Sequence, residues 1–151
     1  MRFQFSIDEM RPPPSGFELG HLEVQGRGAT VTSRGRSPDQ AMMVFVAAGD
    51  LLYGVRAVVS GRPGERFEFI GTDSSFRLDF TQLRDGRVLL RHGSTEIDTV
   101  TADELTSAVF GGVSEFAGRW LSTLASNDAA RNDLEASLKE FASWVSGRSG
   151  R

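Results

Sequence analysis

The sequence predicts an α+β fold: a mostly antiparallel sheet of six to seven strands, a long helix after the third strand, and two C-terminal helices. Three observations predict it. Apolar residues alternate with polar ones in short segments on both sides of residue 60, the period of half-buried strands. Residues 38–60 are apolar nearly all round and flanked by helix-boundary residues. From residue 101 onward the apolar spacing changes to three and four.

Residues 2–8 place Phe3, Phe5 and Ile7 on one face of a first strand. Pro12, Pro13 and Pro14 exclude helix and ladder pairing, so a loop follows. Residues 17–24 read as a second strand, residues 26–28 as a turn, and residues 29–33 as a short third strand. Ser37, Pro38 and Gln40 form the pattern of a capping box, which predicts a helix over 38–60 ended by Gly61 and Pro63. Gly49 and Gly54 weaken that helix and suit close packing on a sheet; a strand pair broken at Gly49-Asp50 is the competing reading. Residues 66–69, 76–80, 88–91 and 95–100 then read as an antiparallel meander, with turns at Asp85-Gly86 and Gly93-Ser94. Thr101 and Glu104 form a second capping box. Leu105, Val109, Val113, Phe116, Trp120 and Leu124 recur at helical spacing behind it, with Gly111-Gly112 and Gly118 inside it as close-packing points or, alternatively, a break into two pieces. Asn127-Asp128 ends or re-caps that helix, and Leu134, Leu138, Phe141 and Val145 mark a third. No linker divides the chain, so residues 1–146 are expected to be one domain and 147–151 a flexible tail.

The 151 residues can bury a substantial core. With 39% hydrophobic residues the chain is not of the disordered class. No apolar run approaches a membrane span, and no secretory pattern follows Met1; a cytoplasmic protein is expected, with no membrane partner. The absence of cysteine excludes disulfides, thiolate metal sites and a cysteine nucleophile. A net charge of -3 argues against nucleic acid as a partner. Only Lys139 among the 17 basic residues is a lysine, a bias that fits codon usage as well as carboxylate recognition. Arg27, Arg34 and Arg36 make one local basic edge.

No catalytic constellation stands out. His21 and His92 match no metal-ligand spacing, and no serine lies in a nucleophile turn. No enzyme activity, cofactor or metal is therefore expected. Eleven phenylalanines against one tyrosine point inward. Acids on strand positions expected to be exposed, Glu68, Asp79, Glu96 and Asp98, are the candidates for a protein-binding face. Met42, Met43, Phe45, Phe67, Phe69 and Phe76 would line an apolar ligand pocket if the long helix and the sheet enclosed one.

The order of elements, carried by residues 39–59, 67–69, 76–80, 88–91 and 101–124, resembles small bacterial immunity-type proteins of polymorphic toxin or contact-dependent inhibition systems. The resemblance implies a non-catalytic, cytosolic protein that blocks a toxin, and it transfers no site residues. The leading expectation is thus a protein-binding module, with a basic toxin domain as a suitable partner. The alternative is a small-apolar-ligand binder. Self-assembly into a homodimer, through a strand edge or the last two helices, is a third option ranked behind these two, so the expectation is a monomer or a homodimer.

Overall fold

A computed structural model describes residues 1–150. It contains eight strands and three helices. The strands are β1 (Arg2–Ser6), β2 (Leu19–Gln25), β3 (Thr30–Thr32), β4 (Met42–Met43), β5 (Arg66–Ile70), β6 (Arg77–Gln82), β7 (Val88–His92) and β8 (Thr95–Val100). The helices are α1 (Val44–Ser60), α2 (Ala102–Trp120) and α3 (Ala129–Ser149), with a single 3-10 turn at Leu121–Thr123. The α+β class is as expected. The single sheet is not: the strands form two four-stranded antiparallel sheets, β1-β2-β3 with β4 also on β2, and β5-β6-β7-β8. Alternation gives each strand a buried face, but it carries no information on which strands share a sheet.

The first helix is shorter than the capping pattern predicts. Residues 38–41 are extended, Met42 and Met43 pair with Gly20 and Leu19, and the helix starts only at Val44. Asp39 accepts from the Ala41 N–H at 2.9 Å, and Gln40 is tied to Ser74 and Ser75. Those tertiary bonds hold the segment that a lone capping box would have made helical. Gly61 ends α1 as expected. The strand-pair alternative over α1 is excluded.

Helix α1 is the centre of the molecule. Phe45, Ala48, Leu51, Leu52, Val55 and Val58 expose 1% or less, so nearly its whole circumference is covered. Gly54 admits the ring of Phe67 from β5, and a Cβ there would collide with it. Helix α2 packs on β1 and α3 packs on α1 and α2. Gly112 lets α2 approach the backbone of Phe3, and a Cβ there would collide with the Phe3 carbonyl. The two sheets share one core: Phe3 of β1 stacks on Phe80 of β6 at 6.5 Å, and Phe80 on Phe67 at 5.4 Å.

The caps at the later helices are those expected. Thr101 accepts from the Glu104 N–H at 3.1 Å, and Asp128 accepts from Arg131 at 3.0 Å. Gly93, at φ 59°, opens a two-residue hairpin between His92 and Thr95, a glycine-first turn of the II′ pattern. Helix α3 runs through Gly147 to Ser149, so most of the expected tail is helical; Arg151 lies outside the described residues. Among the described residues, no helix is long and apolar enough to cross a membrane.

Candidate functional site

The acids expected to form a binding face do not form one. Glu68 and Asp79 are cross-strand partners on the outer face of the second sheet, and Arg77 bonds both, at 2.6 and 3.4 Å. Glu96 lies 3.9 Å from Arg91, its partner across the hairpin. This face alternates arginine and acid and is near neutral in sum.

Asp98 is not on that face at all. The irregularity between Leu90 and Arg91 pairs Asp98 with the inward-facing Leu90, and Asp98 is buried. Its carboxylate accepts from the N–H of Arg27 at 3.0 Å, from Arg27 Nε at 3.0 Å and from the Thr99 N–H at 2.8 Å. Burial works to raise its pKa; the bonds from Arg27 and Thr99 outweigh it and hold the carboxyl below the usual range. Asp98 clamps the turn at residues 26–28 onto β8, where the Gly28 N–H also donates to the Ile97 carbonyl at 2.9 Å. Strand position alone gave it the wrong face because a bulge reverses the alternation there.

The basic edge is likewise consumed internally. Arg27 pairs with Asp98 and Glu104, Arg34 with Asp8, and Arg36 Nε donates to the Thr32 carbonyl.

The expected pocket residues are core. Met42, Phe45, Phe69 and Phe76 expose 1% or less, so the interface between α1 and the sheets that they were expected to line is filled by their own side chains. Phe67 fills the space over Gly54. Phe76 stacks on His92 at 5.2 Å, and Phe45 lies 5.0 Å from Phe116. Met43, half-buried, pairs with Leu19.

One pairing with catalytic overtones appears only in three dimensions: His21 Nδ1 lies 2.9 Å from Ser33 Oγ. Ser33 is fully buried, and its oxygen also accepts the Leu22 N–H at 3.0 Å. The hydroxyl therefore joins β2 to the end of β3 and has no path to a substrate. Burial, with Arg34 adding to it, lowers the His21 pKa and favours the neutral ring. His92 Nδ1 is 2.8 Å from the Arg77 carbonyl. The described residues contain no group of three His, Asp or Glu side chains placed to hold a metal ion.

The feature that stands apart lies along the uncovered strip of α1. Val46, Gly49, Asp50, Tyr53 and Arg56 follow one another at helical spacing. Four large apolar side chains are strongly exposed: Tyr53 (79%), Phe17 (65%), Leu19 (49%) and Ile70 (49%). Tyr53 and Ile70 flank Asp50 of this strip, and Phe17 and Leu19 lie on the segment whose Glu18 carbonyl accepts the first N–H of α1. Tyr53 stands on the strip itself. Leu19 pairs with Met43, immediately before α1. Phe17 follows Gly16, which abuts Ala130 and Asp128 at the start of α3. Ile70 shares a shallow depression with Asp50 and Thr72.

Beside the strip, α1 and α3 leave an open cleft of about 280 Å³, lined by Phe45, Val46, Asp50, Tyr53, Asp133 and Leu134 among others. Gly49 contributes to its openness, since a Cβ there would meet only Ser137 Oγ, at 3.8 Å. Five acids rim the area: Asp39, Asp50 and Asp73 on the β5–β6 side, Asp133 and Glu140 on the α3 side. None of the five makes an ion pair among the described residues, whereas Glu68, Asp79, Glu96 and Asp98 all do. Crowding by the protein raises the Asp50 pKa, with the Thr72 hydroxyl at 3.3 Å pulling the other way. Arg56, the cation among the residues lining these depressions, lies 5.9 Å over the Trp144 ring.

Comparison with family models, with curated proteins and with solved structures finds no match to this chain. The surface must therefore be read from its own chemistry. Sequence reasoning missed it because α1 looks uniformly apolar. The available signal was the interruption of that stretch by Asp50 and Tyr53, three residues apart on one helical face.

Proposed function

We propose that this chain is a protein-binding module that docks its partner on the uncovered strip of α1 and the adjoining α1–α3 cleft. One observation carries the reading: of the four strongly exposed large apolar side chains, Tyr53 and Ile70 flank Asp50 on α1, and Phe17 and Leu19 lie on the segment bonded to the start of the same helix. Scattered exposed apolar residues are ordinary, but a clustered set rimmed by polar groups marks interaction surfaces. Tyr53 is well suited to anchor such a contact, having a large rigid ring with a polar tip. A cytoplasmic immunity-type role, neutralising a basic toxin domain, is the form this function takes in the proteins the element order resembles. The unpaired acids at the rim suit that class of partner.

The test is partner capture with surface variants. Tyr53→Asp and Phe17→Asp place charge on this surface without touching the core. Glu68→Lys with Glu96→Lys reverses charge on the outer sheet face. A partner captured by the wild type should be lost from the first pair of variants and kept by the second. Retention by Tyr53→Asp and loss by the sheet variants would overturn the assignment.

A further inference from the structure

We infer that the partner inserts a basic side chain, flanked by apolar residues, into the cleft between α1 and α3, where Asp50 and Asp133 receive its charge beside the Tyr53 ring. The inference rests on the docking surface proposed above and names the chemistry that the surface selects.

The first ground is charge: Glu9, Glu18, Glu23, Glu65 and Glu115 also make no ion pair among the described residues, so what marks this cleft is that two such acids line it from separate helices. The second sheet's outer face, the Asp98 clamp and the Arg34–Asp8 contact all neutralise their acids internally. Asp50 and Asp133 line one cleft from opposite helices and have no cationic partner among the described residues. Asp50 projects from the exposed strip of the central helix, where its protein neighbours still push its pKa up against the Thr72 hydrogen bond. A carboxylate in that setting gains more from an incoming cation than one in open water, because less screening separates the charges.

The second ground is shape. The accessible apolar walls of the cleft are Val46 and Tyr53, with Phe45 and Leu134 closed off beneath them and the acids at its lip. That arrangement fits the aliphatic stem of arginine or lysine below and the charged head above. Tyr53 supplies an exposed ring face against which a guanidinium can stack. Gly49 keeps the wall low opposite Ser137.

The third ground is what the charge excludes. A second copy of this chain would bring the same unpaired acids against these, and nucleic acid or an anionic membrane would be repelled in the same way. The flanking Phe17, Leu19 and Ile70 call for apolar residues on either side of the inserted cation, which a polypeptide supplies and a free polyamine does not.

Two synthetic tripeptides test this directly: N-acetyl-leucyl-arginyl-leucinamide and the same compound with neutral, near-isosteric citrulline in the middle. Amide chemical shifts of the whole protein are followed during titration. The arginine peptide should move the amides of Gly49, Asp50, Tyr53 and Ser137, and the citrulline peptide should bind at least about fivefold more weakly. Asp50→Asn and Asp133→Asn should each erase most of that difference while leaving the spectrum of the remaining fold intact. Equal binding of the two peptides overturns the cation assignment. So do shifts spread evenly over Glu68, Glu96 and the cleft, as does an absence of shifts at the cleft.

The two proposals fail separately. A partner lost from Tyr53→Asp but bound equally well by Asp50→Asn and Asp133→Asn would leave the docking surface standing and remove the inserted cation. A partner indifferent to all of these variants would remove both.

Discussion

Asp98 and its sequence-level companions separate sharply once the structure is known. Glu68 and Glu96 are exposed and Asp79 is half-buried, all three in ion pairs at the surface, where such pairs contribute little. Asp98 is buried and accepts three hydrogen bonds, two of them from backbone N–H groups that would otherwise be left without a partner. Asp98→Ala is therefore expected to cost about 2 kcal/mol, and Glu96→Ala to stay within about 0.5 kcal/mol, both measured by urea unfolding. Gln82 is a comparable case: its side-chain amide reaches the carbonyls of Val58, Val59 and Gly61 and ties β6 to the last turn of α1. Neither role is legible in the sequence, because each depends on a contact between segments more than twenty residues apart. The inward set was legible. Phe3, Phe5, Leu78 and Phe80 are buried as alternation requires, and of eleven phenylalanines only Phe17 stands mostly exposed. That single departure lies on the segment bonded to the start of α1, the helix to which function is assigned.

Elements were legible wherever local chemistry decided them. The meander of β5 to β8, the caps at Thr101 and Asp128, and the end of α1 at Gly61 all follow from neighbouring residues. The start of α1 did not follow, because Gln40 and Asp39 are held by a loop thirty residues downstream and by a local Asx bond. Division of the strands into two sheets was also beyond reach, since it is fixed by how the elements pack around α1. The glycines of α2 give a measurable contrast at this scale. Gly112 faces the Phe3 backbone, which cannot move aside, whereas Gly118 has no atom within 4 Å of a would-be Cβ. Gly118→Ala should stabilise the protein by roughly 0.5–1 kcal/mol through helix propensity alone. Gly112→Ala should destabilise it despite the same propensity gain. Paired thermal or urea melts decide the matter, and a stabilised Gly112→Ala would contradict the tight α2–β1 contact.

At the scale of the whole molecule, five shifted groups bear on the response to acid. The exposed Asp8 and Asp85, held below 3.8 by hydrogen bonds from Arg34 and Arg87, add small losses below that value. His21, Asp98 and Asp50 are the other three. His21 is held below its ordinary 6.5 by burial, so the unfolded chain takes up that proton first. Its contribution to stability is complete above 6.5 and declines as the pH falls beneath it. Asp98, held below 3.8, adds a second loss that begins only under that value. Asp50 acts in the opposite sense: its raised pKa means that ionisation costs the fold, a cost relieved as the pH falls toward 3.8. The urea midpoint should therefore be flat near neutrality and start to fall below about pH 6.5. His21→Asn should remove that first decline; an unchanged profile in the variant would refute the assignment. The central position of α1 has a consequence of another kind. The helix is complete at Ser60, but Phe67 and Phe141, which cover two of its sides, are translated later. At roughly 5–20 residues per second, the ribosome takes on the order of 4–16 s to deliver the chain as far as Phe141. Throughout that interval the apolar faces of the nascent helix stay uncovered, and once α3 docks the strip around Tyr53 is what remains open.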